Sequence, residues 1–157
     1  MLNRTTLLRC SCLLAVLFSP LTLIWASEEH QAPGPPQLKT ASSHPIQYYL
    51  SLPDGWSSGK KYPVVVVIES ATREFLDTAK AFAAVRQHRP FILVTPLVVT
   101  NGGSGYRNVP TYHYTSAVWD QIQSTGPFTF DMDGITAIMR DVSKQYGGDD
   151  KFFITGL

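Results

Sequence analysis

Five consecutive β-branched residues, VVVVI at 64–68, constrain the fold of this chain more than any other feature. Apolar side chains on both faces predict a strand that is covered on both sides, as central parallel strands are. A second continuous apolar strand is predicted at residues 91–94, and an amphipathic helix at residues 73–88 separates the two. Strand, helix and strand in this order predict a parallel α/β unit.

Weaker patterns place further elements on both sides of this unit. Alternating apolar residues predict a half-buried outer strand at 46–52, and residues 131–146 carry a helical stripe that stops before Gly147. A third apolar strand is predicted at 152–155. We expect residues 97–128 to form a long loop, a kind of segment that is often functional.

The first 26 residues have the three parts of a secretory signal peptide. Arg4 and Arg9 precede an apolar core, and the small residues Ala26 and Ser27 follow it. The apolar core is shorter than the ~20 residues of a membrane-spanning helix. We therefore expect cleavage, a secreted or periplasmic location and no stable membrane span. A retained membrane anchor is the alternative.

Removal of this leader changes the charge and the cysteine content. The formal net charge is +1 for all 157 residues, and loss of Arg4 and Arg9 leaves 11 basic and 12 acidic residues. So small a charge argues against nucleic-acid binding. Cys10 and Cys12 leave with the leader, so the exported part has no thiol for a disulfide or a metal. The histidines show no metal-ligand spacing either, and we expect no metal and no cofactor.

Three segments follow from these patterns. We expect a signal peptide at 1–26, a Pro-rich disordered lead-in at 27–44 and one partial domain at 45–157. The lead-in is polar, contains the run PGPP and lacks apolar periodicity, which is typical of a tether.

The order of elements in 45–157, with the motifs KYPVVVVIES, RPFILVTP and KFFITGL, resembles the N-terminal half of the α/β-hydrolase family. It looks most like secreted carboxylesterases, with the related polyester depolymerases and secreted peptidase-like members close behind. The resemblance implies an incomplete α/β-hydrolase-type, mostly parallel sheet with flanking helices. It also implies that the last strand leads into the nucleophile elbow, G-x-S-x-G, with Gly156 and Leu157 in its first two positions.

The function implied by this resemblance is that of an exported fragment of a carboxylic-ester hydrolase. Its nucleophile, acid and histidine would all follow Leu157, so no catalytic residue is expected and the chain should be inactive alone. In the family, backbone N–H groups after the first central strand help to hold the developing negative charge. Glu69, Ser70 and Ala71 have that place here and are the candidates for the oxyanion loop. The Glu69 carboxylate would oppose an oxyanion unless it turned away.

A second group of candidates lies in the long loop. Tyr112, His113 and Tyr114 would border a pocket for a small-molecule ester or a carbohydrate-like ligand. The alternative function is therefore a non-catalytic exported domain that binds carbohydrate or protein through these rings and Glu69. Packing of the tyrosines into the core is the simpler interpretation.

The predicted strand at 152–155 carries a further expectation. Its side chains are apolar on both faces, and it would lie at an edge of the sheet. Exposed apolar edges pair with other chains. Self-association through this edge is therefore expected.

Overall fold

The computed structural model describes residues 34–100 and 110–156, so the predicted signal peptide at 1–26 and Leu157 lie outside the described residues. The described part forms a five-stranded sheet with three helices, none of which is long and apolar enough to cross a membrane. In chain order the elements are β1 (Gln37–Thr40), β2 (Gln47–Ser51), β3 (Tyr62–Ile68), α1 (Phe75–Arg86), β4 (Ile92–Pro96), α2 (Ser116–Thr125), α3 (Pro127–Tyr146) and β5 (Gly148–Gly156).

The strands lie in the order β1-β2-β4-β3-β5. The pairs β1–β2 and β2–β4 are antiparallel, whereas β4–β3 and β3–β5 are parallel. The predicted fold class, an incomplete α/β-hydrolase-type, mostly parallel sheet with flanking helices, is therefore wrong. The described residues form a small mixed sheet in which half of the strand pairs are antiparallel.

A hairpin at one side of the sheet accounts for this difference. β1 lies inside the segment 27–44, for which the sequence predicts a disordered lead-in. Its four residues, QLKT, include a single apolar side chain, too few for a periodic signal. They pair with β2 from Gln37↔Leu50 to Thr40↔Gln47. Pairing with a neighbouring strand thus forms a strand that local composition does not predict.

The parallel unit in the middle of the sheet agrees with the sequence. β3 and β4 pair from Val64↔Ile92 to Val66↔Val94, and α1 connects them. All five residues of β4 are buried, and β3 buries Val64, Val66 and Val67. The predicted strand–helix–strand unit with parallel strands is confirmed.

α3 is the longest helix and packs against the sheet along an apolar stripe. It begins at Pro127, before the predicted start at Asp131, because proline fits the first turn of a helix. Gly134 lies directly against Ile46, where an added Cβ would stand 2.6 Å from Ile46 Cδ1. Gly147 ends the helix with a φ of 75°, as predicted, and its N–H donates to the Val142 carbonyl.

α2 occupies part of the predicted long loop at 97–128. The Thr115 side chain caps its first turn by accepting a hydrogen bond from the Val118 N–H. Trp119 and Ile122 are its buried residues. Two buried positions in ten residues make a weak stripe, and the sequence analysis missed this helix.

Candidate functional site

The carboxyl ends of β3 and β5 bring two predicted site segments together. Ile68, the last residue of β3, is the register partner of Gly156, the last residue of the parallel strand β5. The predicted oxyanion loop, 69–71, directly follows Ile68, so it lies beside the predicted start of the elbow. A Cβ on Gly156 would stand 3.2 Å from the Ile68 carbonyl oxygen, so the two backbones approach closely. Ligands of open α/β sheets bind at this edge.

Glu69 is 2% exposed and is held by its own loop. Its Oε1 accepts hydrogen bonds from Thr72 Oγ1 at 2.6 Å and from Ser70 Oγ at 3.3 Å. The backbone N–H of Glu74 donates to the same oxygen at 3.4 Å. Hydroxyl donors of this kind compensate a buried carboxylate. Glu69 therefore organises the turn between β3 and α1.

Ser70 and Ala71 form the outer part of this loop. The Ser70 hydroxyl lies 3.2 Å from Thr72 Oγ1 in addition to its bond to Glu69, and the Ser70 carbonyl accepts the Arg73 N–H at 3.3 Å. Arg73 takes a positive φ of 62° to close the turn. Ala71 is exposed. The loop is thus a tight turn with its backbone at the surface and its carboxylate turned into the protein.

Two of the described histidines, His44 and His88, are engaged away from this loop. His44 Nδ1 accepts the Ile46 N–H at 3.1 Å, and His88 Nδ1 lies 3.0 Å from Asp54 Oδ2. A serine nucleophile needs an adjacent base, usually a histidine. In residues 34–100 and 110–156 no cluster of three or more His, Cys, Asp or Glu side chains is arranged to hold a metal ion.

Tyr112 and Tyr114 point into the core, as the simpler interpretation expected. The Tyr112 hydroxyl donates to the Val98 carbonyl at 2.6 Å, and the Tyr114 hydroxyl donates to the Leu97 carbonyl at 3.2 Å. Their rings stack at 5.8 Å, and both make edge contacts with Trp119 at about 5.5 Å. Burial raises the pKa of both phenols above the ordinary value. The two rings join α2 to the sheet.

His113, the third residue of this group, is the one whose side chain is exposed. Its backbone N–H donates to Gln47 Oε1 at 3.3 Å. The structure therefore places the exposed side chain of His113 between two inward-facing tyrosines.

Sequence reasoning missed the role of Asp131. This residue is 4% exposed and accepts hydrogen bonds from the Val99 N–H (2.9 and 3.0 Å) and from the Thr100 N–H (2.7 Å) and hydroxyl (2.6 Å). Burial raises its pKa, and these hydrogen bonds act in the opposite direction. Asp131 thus fixes the segment after β4 to α3. Its position four residues before Ile135, on the apolar stripe, is the sequence signal that could have shown this inward direction.

Arg86 was also missed, and it lies near the opposite end of β4. It is 1% exposed, and its guanidinium donates to the carbonyls of Ser51 (2.9 Å), Leu52 (2.6 Å) and Phe91 (3.3 Å). Burial lowers its pKa from the ordinary value. Arg86 therefore clamps the end of β2 to the start of β4, and its role is structural.

No protein-family model and no curated protein matches this chain. The resemblance to α/β-hydrolases consequently rests on the quoted residues and on the strand ends. The loop at 69–71 lies beside the end of β5, and the hydroxyl of Ser70 contacts the Glu69 carboxylate and Thr72 Oγ1 rather than a histidine.

Proposed function

We propose that this chain is an exported fragment of a carboxylic-ester hydrolase and carries the oxyanion-binding half of the site. The register pair Ile68↔Gly156 is the observation that supports this most strongly. In such enzymes one oxyanion donor follows the nucleophile and the other comes from the loop between a central strand and the next helix. The loop at 69–71, between β3 and α1, has this place beside Gly156.

The hydrogen bonds of Glu69 remove one objection to this function. A free carboxylate in the loop would repel an oxyanion, but Glu69 is buried and its Oε1 accepts the hydroxyls of Ser70 and Thr72. Its Oε1 is held by its own turn. The backbone of Ser70 and Ala71 is then the part of the loop that would meet a tetrahedral intermediate.

The proposed substrate class is a small carboxylic ester, and the proposed location is secreted or periplasmic. The chain alone is proposed to be inactive, because the hydroxyl of Ser70 contacts Glu69 and Thr72 rather than a histidine, and because the resemblance places the nucleophile after Leu157. Self-association through the edge strand β5 is likewise proposed.

The alternative, a binding domain for carbohydrate or protein, draws no support from the aromatic residues. Tyr112 and Tyr114 would have to leave the core and give up their bonds to Val98 and Leu97 before they could present a ring to a sugar. We therefore prefer the hydrolase proposal.

Two measurements test the proposal. The first is turnover of a short-chain aryl ester by the purified 157-residue chain, which we expect at the rate of buffer alone; turnover that a serine-directed inhibitor abolishes would contradict it. The second is the coding sequence that follows Leu157. We expect codons for Ser-x-Gly and, further on, for an acid and a histidine. Any other residue at the serine position would overturn the proposed activity.

A further inference from the structure

β5 leaves an unusual apolar edge on the described part of the molecule. Among the strands of residues 34–100 and 110–156 its one partner is β3, and no described strand pairs with its other side. Phe152, Phe153 and Ile154 are 52%, 61% and 65% exposed. Long apolar edges of this kind template the addition of another strand.

A groove continues this surface onto α3. It has a volume of about 570 Å³ and lies between the helix and the strand. Phe152 and Ile154 line it from β5, so they share the face of the sheet that α3 covers. Phe153, the residue between them, points to the opposite face. On the helix the apolar lining is Met132, Ile135 and Met139.

The apolar part of β5 is centred on Phe153, with Phe152 and Ile154 on its two sides. Further out the strand is not symmetric, since Lys151 and Asp150 lie on one side and Thr155 and Gly156 on the other. A two-fold axis through Phe153 would therefore place apolar residues opposite apolar residues in an antiparallel pair. Self-complementarity of this kind is what a two-fold interface requires.

The apolar side chains favour the same register. With the axis at Phe153, Lys151 faces Thr155 and Asp150 faces Gly156, so no two like charges are opposed and each large apolar residue faces another. With the axis one residue earlier, like charges are not opposed either, but Asp150 would face Ile154 and Lys151 would face Phe153. The net charge of the chain, +1, also adds little repulsion between copies.

We propose that two copies of this chain pair through β5 in antiparallel register, with Phe153 opposite Phe153, and join their sheets into one. The two copies of α3 then lie on the same face, and the side chains of Phe152 and Ile154 fill the space between the two grooves. The arrangement deepens the proposed self-association and is independent of ester hydrolysis.

Disulfide cross-linking tests the register directly. Variants are made in the full chain with Cys10→Ser and Cys12→Ser, so that each copy has a single thiol. Opposed residues of an antiparallel pair have Cα atoms about 5 Å apart, within the reach of a disulfide. Phe153→Cys should therefore link to itself on mild oxidation, at least about tenfold more than Lys151→Cys, whose two copies would be about 13 Å apart along the strands. A mixture of Lys151→Cys and Thr155→Cys should cross-link as well.

Sedimentation velocity gives a second readout that needs no cysteine. The parent chain should reach twice the mass of one chain as its concentration rises. Ile154→Lys should remain a monomer at those concentrations, and the matched control Val85→Lys, at a 64% exposed position on α1, should still dimerise. If the unsubstituted chain stays monomeric, β5 does not pair with a second copy, and the proposal is overturned. Equal cross-linking at positions 151 and 153 would show unspecific aggregation and overturn it too.

Discussion

β1 and β5 form the two edges of the sheet, and they differ in length and composition. β1 has four residues, one of them a lysine, whereas β5 has nine residues and exposes three large apolar side chains. Short, charged edge strands resist the addition of other chains, and long apolar ones favour it. One edge of this sheet therefore ends as a polar surface, whereas the other has the apolar character of a protein interior.

The two edges also differ in their support. The turn after β1 is fixed to α3, because Asp141 accepts hydrogen bonds from the Ser42 N–H at 2.6 Å and from the Ser42 hydroxyl at 2.5 Å. Ile46, at the end of this turn, packs on Gly134. Side chains 152–154 of β5 have no comparable cover. Substitutions at the β1 turn should therefore destabilise the fold, and substitutions on the outer side of β5 should mainly change association.

The largest effect is expected at Gly134. A leucine there would force its Cβ into Ile46, with contacts of 2.6–2.8 Å to three of its atoms. We expect Gly134→Leu to lower the free energy of unfolding by about 3 kcal/mol. Urea denaturation measures this, with Thr136→Leu, exposed on the same helix, as the matched control. A neutral result at Gly134 would show that the β1 turn does not pack on α3.

The next effect is expected at Asp141, which is 5% exposed. Asp141→Ala leaves the N–H and the hydroxyl of Ser42 without their acceptor, so we expect a loss of about 2 kcal/mol. Asp133→Ala, at an exposed position of the same helix, should change stability by less than about 0.5 kcal/mol. Equal effects of the two substitutions in thermal unfolding would contradict the proposed anchor.

A smaller, pH-dependent effect is expected from His44 in the β1–β2 turn. Burial against Phe130 lowers its pKa from 6.5, and the Asp133 and Asp131 charges act in the opposite direction. A histidine with a lowered pKa binds fewer protons in the folded state, so its contribution is complete above pH 6.5 and is lost as the pH falls. Because the ring is partly exposed, we expect a loss below about 1 kcal/mol.

His44→Asn is the matched variant for this prediction. Its side-chain oxygen can accept the Ile46 N–H in an Asx turn without titrating. The difference in stability between the parent and the variant should therefore change between pH 7 and pH 5, with the parent losing more. A constant difference across this range would show that His44 does not titrate with unfolding.

The smallest effect on stability is expected at the β5 edge. Ile154→Lys should change the free energy of unfolding of the monomer by no more than about 0.5 kcal/mol, because the side chain is already exposed. The measurement is thermal unfolding at a concentration where the chain is monomeric. A loss as large as that at Asp141 would mean that β5 is covered within one copy, and the contrast between the edges would fail.

The sequence predicted the elements whose own pattern is strong. β3, β4 and the second half of β5 are continuous apolar runs, and α1 and α3 have helical stripes, so their type was correct and only their ends moved. β1 and α2 were missed, because neither has a strong pattern of its own. β1 forms by pairing with β2, and α2 forms by burying Trp119 and Ile122. The failure to predict β1, which pairs antiparallel with β2, is also one reason why the prediction of a mostly parallel sheet was wrong.

The candidate site was predictable to the same degree. That the loop at 69–71 and Gly156 lie side by side follows from parallel strands, whose carboxyl ends meet at one edge. The inward direction of Tyr112 and the anchoring role of Asp131 depend on tertiary contacts with Val98 and Val99, which no local pattern encodes. The hydrolase function stays a proposal, because the nucleophile, acid and histidine that would define it are not among these contacts.

Hydrogen exchange of the full chain at increasing concentrations tests the contrast between the two edges most directly. Peptides that cover β1 and β2 should exchange at the same rate at every concentration, because their protection arises within one copy. Peptides that cover β5 should exchange faster in dilute solution and become protected as copies associate. Protection of β5 that is independent of concentration, or protection of β1 that rises with it, would contradict the account.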